Sequence, residues 1–431
     1  MKIYNNPERA QWAELLKRPA QDDSDIRGRV RDIMEDVRLR GDRAVKAYTQ
    51  KFDGPALAQQ RVGPQELDEA AAQVAPGLKA AITQAVANIE RFHAAQRPKE
   101  IAVETQPGLR CWQKPVPVPA VGIYIPGGTA PLFSTVLMLA IPARIAGCPE
   151  IVMTTPPGKD GNVHPAILYA AQVAGVKTII KAGGVQAIAA MTYGTAEVPQ
   201  VDKIFGPGNQ YVTLAKQFAA MQGKAIDMPA GPSEVMVVAD ETTPPEFAAA
   251  DLLSQAEHGA DSQVVLVVQT QAVAQKILEI LQKQLNDLPR KEIAQQALAH
   301  SRVFVLSDKA QQLDVINFYA PEHLILAGQD AQALAAGVVN AGSVFVGQYT
   351  PESLGDYASG TNHVLPTNGF ARAFSGVNLD SFYKKITFQQ ASPEALNQIA
   401  PHVEIMAATE QLEAHRLAVA LRKQAVGRKE N

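Results

Sequence analysis

Apolar residues along the chain fall into two rhythms. In the first hundred residues they recur every three or four positions: a run opened by Asp23-Ser24 and ended by Gly41, then Leu78, Ile82, Val86 and Ile89 within 76–96. That spacing predicts amphipathic helices, with His93 an ordinary member of the second. Residues 101–103 and 109–116 read as strands leading into the body. From Ala120 onward, short apolar runs at 121–125, 151–154, 178–182 and 203–205 alternate with helical stretches at 132–145, 164–174, 186–193 and 209–221. A second series follows, with strands at 234–239, 264–269, 302–306, 323–326 and 343–346, helices between them, and helices again over the last fifty residues. Strands regularly separated by helices predict parallel sheets wrapped on both faces.

The expected fold is α/β: two Rossmann-like doubly wound parallel-sheet units lacking the G-x-G-x-x-G fingerprint, plus helical N-terminal and C-terminal segments. The expected boundaries are a helical arm over 1–25 and a first α/β domain over 26–120 and 235–375. A second α/β domain spans 121–234, and a helical tail over 376–431 has Thr409 as the N-cap of its last helix. Ligands on such sheets lie beyond the carboxyl ends of the strands, where the turns after Ile125, Ala182 and Phe205 fall. These turns are rich in glycine and proline: Pro126-Gly127-Gly128, Gly183-Gly184 and Gly206-Pro207-Gly208-Asn209, with Ala230-Gly231-Pro232-Ser233 leading into the next strand. Glycine lets backbone amides approach an anion at a helix start, and a tight turn requires it equally. Tyr211 stands where a third fingerprint glycine would fall, so the spacing alone argues for no dinucleotide.

Charge and composition narrow the function classes. Of 431 residues, 46% are hydrophobic and 19% charged, and the net charge is −3. This balance argues against nucleic acid or an anionic membrane as the main partner. No apolar run approaches the ~20 residues that span a bilayer, and the first residues lack the apolar core of a secretory signal. Two cysteines, Cys111 and Cys148, are too few for a disulfide framework, so a reducing cytoplasm is expected. Nothing near Cys148 would activate its thiol.

Reactive side chains cluster in four places. Leu252-Leu253-Ser254-Gln255-Ala256-Glu257-His258-Gly259 reads as the end of a helix begun by a capping box at Thr243-Pro244-Pro245-Glu246 and stopped by Gly259. Phe247, Leu252 and Leu253 form its buried stripe, and Gln255 and His258, three apart, share a face and could hold half of a metal site. Pro321-Glu322-His323 places a carboxylate beside an imidazole at a strand entry, a pair suited to two proton transfers or to solvent. The polar run 351–363 reads as a long unstructured stretch between apolar flanks, carrying Asp356 and His363. Glu410 and His415 lie on the tail helix.

Tyr124-Ile125-Pro126-Gly127-Gly128, Gly206-Pro207-Gly208-Asn209, Asp227-Met228-Pro229-Ala230-Gly231-Pro232-Ser233-Glu234, Ser254-Gln255-Ala256-Glu257-His258-Gly259, Pro321-Glu322-His323-Leu324 and 353–363 occur in that order. Together they closely resemble the histidinol dehydrogenase family over nearly the whole chain. The resemblance implies zinc-dependent, four-electron oxidation of histidinol to histidine through a bound aldehyde with two NAD, the last step of histidine biosynthesis. It implies one Zn2+ per subunit on Gln255, His258, Asp356 and His415, with the tail histidine supplied across a homodimer. It assigns His323 as the base and Glu322 as the activator of water. Ser233, Gln255, His258, His323, Asp356, His363, Glu410 and His415 would contact substrate, and NAD would lie near Tyr124, Gln186 and Asn209. The competing class is a zinc hydrolase of a small nitrogen-containing substrate, since a metal with Glu322 and His323 also suits water activation.

Overall fold

The strands run in chain order as β1 (Lys2–Asn5), β2 (Ile101–Gln106), β3 (Leu109–Pro117), β4 (Ala120–Tyr124), β5 (Glu150–Thr155), β6 (Thr178–Lys181), β7 (Lys203–Phe205) and β8 (Ala225–Ile226). They continue as β9 (Glu234–Ala239), β10 (Gln263–Val268), β11 (Arg302–Val305), β12 (His323–Leu326), β13 (Ser343–Val346) and β14 (Tyr383–Ala391). The structure, a computed structural model, describes residues 1–19, 24–127, 130–229 and 231–427. Asp23, Gly128 and Ala230, singled out above, lie outside the described residues.

Two compact units form: Met1–Gln96 with Val118–Phe382, and Arg97–Pro117 with Tyr383–Asn431. The first unit carries both predicted parallel sheets. One is six-stranded, ordered β1-β11-β10-β9-β12-β13, and the other five-stranded, ordered β6-β5-β4-β7-β8. All pairings between the named strands of both sheets are parallel. The all-apolar runs in β10 and β4 reflect burial on both faces, as parallel sheets demand. Every residue of β9 and β10 is buried.

The N-terminal arm is not wholly helical. Lys2–Asn5 adds β1 to the edge of the six-stranded sheet beside β11, and helical turns at Arg9–Gln11 and Trp12–Leu15 follow. Four residues of extended pattern are too few to announce a strand without the sheet edge that receives them.

The helices at 24–94 also differ from the expected grouping of 26–120 with 235–375. Ile26, Val30, Met34 and Val37 of helix Ser24–Arg40 share one core with Ile188, Met191, Val212 and Ala215 from the helices of the five-stranded sheet. An amphipathic stripe declares that a helix must be covered; it does not say by which sheet.

In the second unit β14 pairs antiparallel with β3, and β3 with β2. The tail is therefore not all helix. Helix Pro393–Thr409 follows, capped by Ser392, whose hydroxyl accepts from the Ala395 amide, and helix Glu413–Gly427 closes the described chain. Thr409 ends a helix rather than capping one: its hydroxyl donates to the Ile405 carbonyl. The strand was hidden because Tyr383–Ala391 carries scarcely any apolar alternation, and its partners lie some 270 residues away in the chain.

Candidate active site

The central strands β9 and β12 set the geometry of the first cluster. Their register puts His323 beside Val235, so Glu322, just before β12, meets Glu234 at the start of β9. The Glu234 amide donates to Glu322 Oε2 at 2.9 Å, and the Glu234 carbonyl lies 3.2 Å from His323 Nδ1. Both catalytic candidates are buried, with Glu322 Oε2 3.6 Å from His323 Nδ1. The solvent reading of Pro321-Glu322-His323 is thereby excluded. Burial raises the Glu322 carboxyl to about 8. Burial alone would lower the imidazole of His323, but Glu322 and Asp356 outweigh it and raise it instead. His323 Nε2 is buried without a hydrogen-bond partner, 3.5 Å from Asp356 Oδ1.

The helix carrying Gln255 is shorter than the sequence suggests. It spans Pro245–Ala256, with Pro244 as N-cap, and the Thr243 hydroxyl accepts from the Asp240 amide instead of capping. Glu257 is the C-cap and Gly259 does not take the left-handed conformation. Phe247 is exposed and packs edge-on against Tyr349, so only Leu252 and Leu253 of the proposed stripe are buried. His258 therefore sits in the turn after the helix, but its amide still donates to the Gln255 carbonyl at 3.2 Å, preserving the three-residue offset. Gln255 is buried, with Nε2 2.8 Å from His323 Nδ1 and Oε1 lacking any partner. His258 is open to solvent at its surface yet surrounded by protein on its other sides. This desolvation lowers its imidazole, against the pull of Asp356.

The stretch 351–363 is ordered by a short helix, Glu352–Tyr357, which presents Asp356 to His323. His323, its Nε2 3.5 Å away, together with the nearby imidazoles of His363 and His258, holds the Asp356 carboxyl below its usual range despite burial. His363 Nδ1 lies 2.8 Å from the Asp356 carbonyl oxygen, which can only accept; the proton is on Nδ1, and Nε2 accepts from Thr135 Oγ1 at 3.1 Å. Burial lowers this imidazole. Ser233 sits half-buried just ahead of β9.

Gln255, His258 and Asp356 thus gather round His323. Among the described residues no three His, Cys, Asp or Glu side chains come together as a metal cage. The donor set at this point is one amide oxygen, one imidazole and one carboxylate. The orphaned Gln255 Oε1, buried and able only to accept, fits a cation. Glu410 and His415 belong to the second unit, where both are exposed, His415 on helix Glu413–Gly427.

A second feature lies at the carboxyl ends of β4, β5, β6 and β7. A cavity of about 1260 Å3 is lined there by Tyr124, Pro126, Thr155, Gly184, Gln186 and Asn209, among others. Burial raises the Tyr124 phenol to about 12, and its oxygen accepts from the Gly184 amide at 3.1 Å. Gln186 is buried with Oε1 unpartnered. Asn209 caps helix Gln210–Met221, its Oδ1 accepting from the Tyr211 and Val212 amides. All three residues that the resemblance assigns to NAD therefore line one cavity, and two of them, Gln186 and Asn209, stand at helix starts of the kind that suit phosphates. The glycines also have packing reasons. Gly206 has φ +127°, and a Cβ there would collide with the Tyr124 carbonyl.

One residue pair at this turn was not singled out from the sequence. Lys216 and Asp227 form a buried ion pair. Lys216 Nζ donates to the Gly206 carbonyl at 2.9 Å and the Gly206 amide donates to Asp227 Oδ2 at 2.8 Å. Both ends of the Gly206 peptide are held. Lys216→Met leaves Asp227 buried and unpaired, so unfolding stability is expected to fall by about 3–5 kcal/mol, read by urea denaturation. A compensated Lys216→Met/Asp227→Leu double variant is expected to recover most of that loss.

His93 is a core residue, its Nδ1 2.9 Å from the Ile89 carbonyl oxygen. Cys148 is a buried free thiol raised to about 11 by burial. Labelling of the native protein at pH 8 is expected to modify Cys111 well before Cys148; rapid modification of Cys148 would contradict its burial.

The histidinol dehydrogenase family model matches residues 16–423. The histidinol dehydrogenase of Bacteroides fragilis is 56% identical over 422 residues, covering 98% of this chain and 99% of its own length. That of Escherichia coli is 50% identical over 426 residues, covering 98% and 97%. The crystal structure of histidinol dehydrogenase from Elizabethkingia anophelis superposes with a TM-score of 0.97 at 52% identity, covering 99% of each chain. The chain belongs to the histidinol dehydrogenase family.

Proposed function

We propose that this protein oxidises histidinol to histidine in two successive two-electron steps, with zinc and two NAD, in the cytoplasm. The observation that carries the proposal is the buried Glu322–His323 pair set against Gln255, His258 and Asp356 in a chain of this family. When bound, zinc would fix the substrate's imidazole and amine, and NAD would accept one hydride in each oxidation.

The chain's own residues do the rest. Gln255, His258 and Asp356 would hold the metal, with His415 of the partner subunit as the fourth donor. The second unit supports a dimer in that Ile405, Met406, Leu417 and Leu421 of its helices, and Leu412 in the turn between them, are exposed, apolar surface of the kind that marks a protein interface. A cation held by Asp356 would oppose the imidazolium form of His323 and so favour the neutral form a base requires. His323 Nε2 then removes the alcohol proton, and removes a proton again in the second oxidation. Glu322 takes a proton from the water that adds to the aldehyde. Its enclosed position suits retention of that aldehyde between steps. Ser233, His363 and Glu410 would contact the substrate; His363 does so by exchanging its Thr135 hydrogen bond. Tyr124, Gln186 and Asn209 would line the NAD site.

The test is NADH absorbance from histidinol, expected at two NADH per histidine. A zinc hydrolase would give none. Glu322→Gln keeps an acceptor for the Glu234 amide but removes the base. It is expected to slow aldehyde oxidation at least tenfold more than alcohol oxidation. Equal loss on both substrates would contradict the division of labour.

A further inference from the structure

The backbone of Glu234 touches the side chains of both members of the catalytic pair. Its amide donates to Glu322 Oε2, and its carbonyl lies 3.2 Å from His323 Nδ1, where it can accept the proton of the tautomer that frees Nε2. Its own side chain points away from the reaction and is 3% exposed. Arg18 grips that side chain in a two-point ion pair, Nε to Oε1 at 2.8 Å and Nη2 to Oε2 at 2.6 Å. The same Nη2 donates to the Tyr319 carbonyl at 2.8 Å, and the guanidinium lies 4.0 Å from the centre of the Tyr319 ring. Tyr319 is buried and donates to Gln263 Oε1 on the neighbouring strand β10. The Asn368 amide completes the grip on Glu234 Oε1.

From this chain of contacts we infer that Arg18, acting through Glu234, is a positioning residue for the Glu322–His323 pair. The inference rests on the function proposed above. A planar, two-point clamp defines both the position and the rotation of the carboxylate it holds. Glu234 is the first residue of β9, so holding its side chain holds the peptide groups on either side of its Cα. Those groups orient the carboxyl and the imidazole. Supporting contacts of this kind matter because small displacements of reacting groups cost large factors in rate. An ordinary structural ion pair would instead show itself in stability alone.

The experiment compares Arg18→Lys and Arg18→Ala with the unaltered protein in alcohol and aldehyde oxidation, with zinc content measured on each. Lysine keeps the charge but cannot form the two-point clamp. For Arg18→Lys, kcat is expected to fall about 10- to 100-fold in both oxidations. KM for histidinol and zinc content should stay unchanged. Guanidinium ion added to Arg18→Ala is expected to restore part of its kcat. A folded Arg18→Lys with unaltered kcat and only a lower Tm would overturn the inference, as would a loss confined to KM. If Arg18→Ala does not fold, Arg18→Lys decides the question alone. Absence of NADH formation by the unaltered protein would instead defeat the proposed function, so the two failures are distinguishable.

Discussion

Replacing His323 with asparagine is expected to cut turnover in both oxidations by about 100- to 10,000-fold, the range for loss of a positioned general base. The substitution is mild in every other respect. Asparagine keeps a polar amide beside the Gln255 side chain, which now lies 2.8 Å from Nδ1, and β12 retains its parallel pairing to β9 and β13. The fold should therefore survive, and circular dichroism and denaturation midpoints should change little. Measured against histidinol and against the aldehyde, the two losses should be of similar size, because one imidazole serves both steps. A variant that loses only the first oxidation would require a second base for the other.

The second large effect concerns the metal. His258→Asn is expected to lower zinc content and to reduce turnover in proportion, and chelation of the unaltered protein should abolish NADH formation until zinc is returned. The reason lies in the donor set. Gln255 supplies a neutral amide oxygen and Asp356 is shared with His323, so an imidazole is the strongest neutral ligand available at this point. Its exposure makes His258 the donor best placed to meet an incoming ion. Metal content by mass spectrometry is the direct readout. Full occupancy in His258→Asn would remove it from the ligand set.

Much of the candidate site was legible in the chain. Gln255 and His258 were paired by their spacing, and the turn that replaces the last helical residues keeps that offset through one backbone hydrogen bond. Glu322 and His323 were adjacent and chemically suggestive, yet nothing local distinguished a solvent-facing strand edge from a buried pair. Their burial follows from β12 lying between β9 and β13, a property of strand order. Arg18 and Glu234 were silent as functional residues because 216 positions separate them. Lys216 and Asp227 are closer in the chain, yet no spacing or pattern marks them as partners of the Gly206 turn, where tertiary structure brings them together.

The sequence by itself determined the period of each element, and with it the α/β class, the two parallel sheets and the glycine turns that follow β4, β6 and β7. These depend on local sterics and on the alternation of apolar positions, which any chain carries in its own order. Tertiary structure alone decided which sheet the N-terminal helices cover, that Tyr383–Ala391 is a strand, and which polar groups are left buried without partners. Strand pairing and burial are relations between distant segments, and the free energy that selects among them is released only when those segments meet.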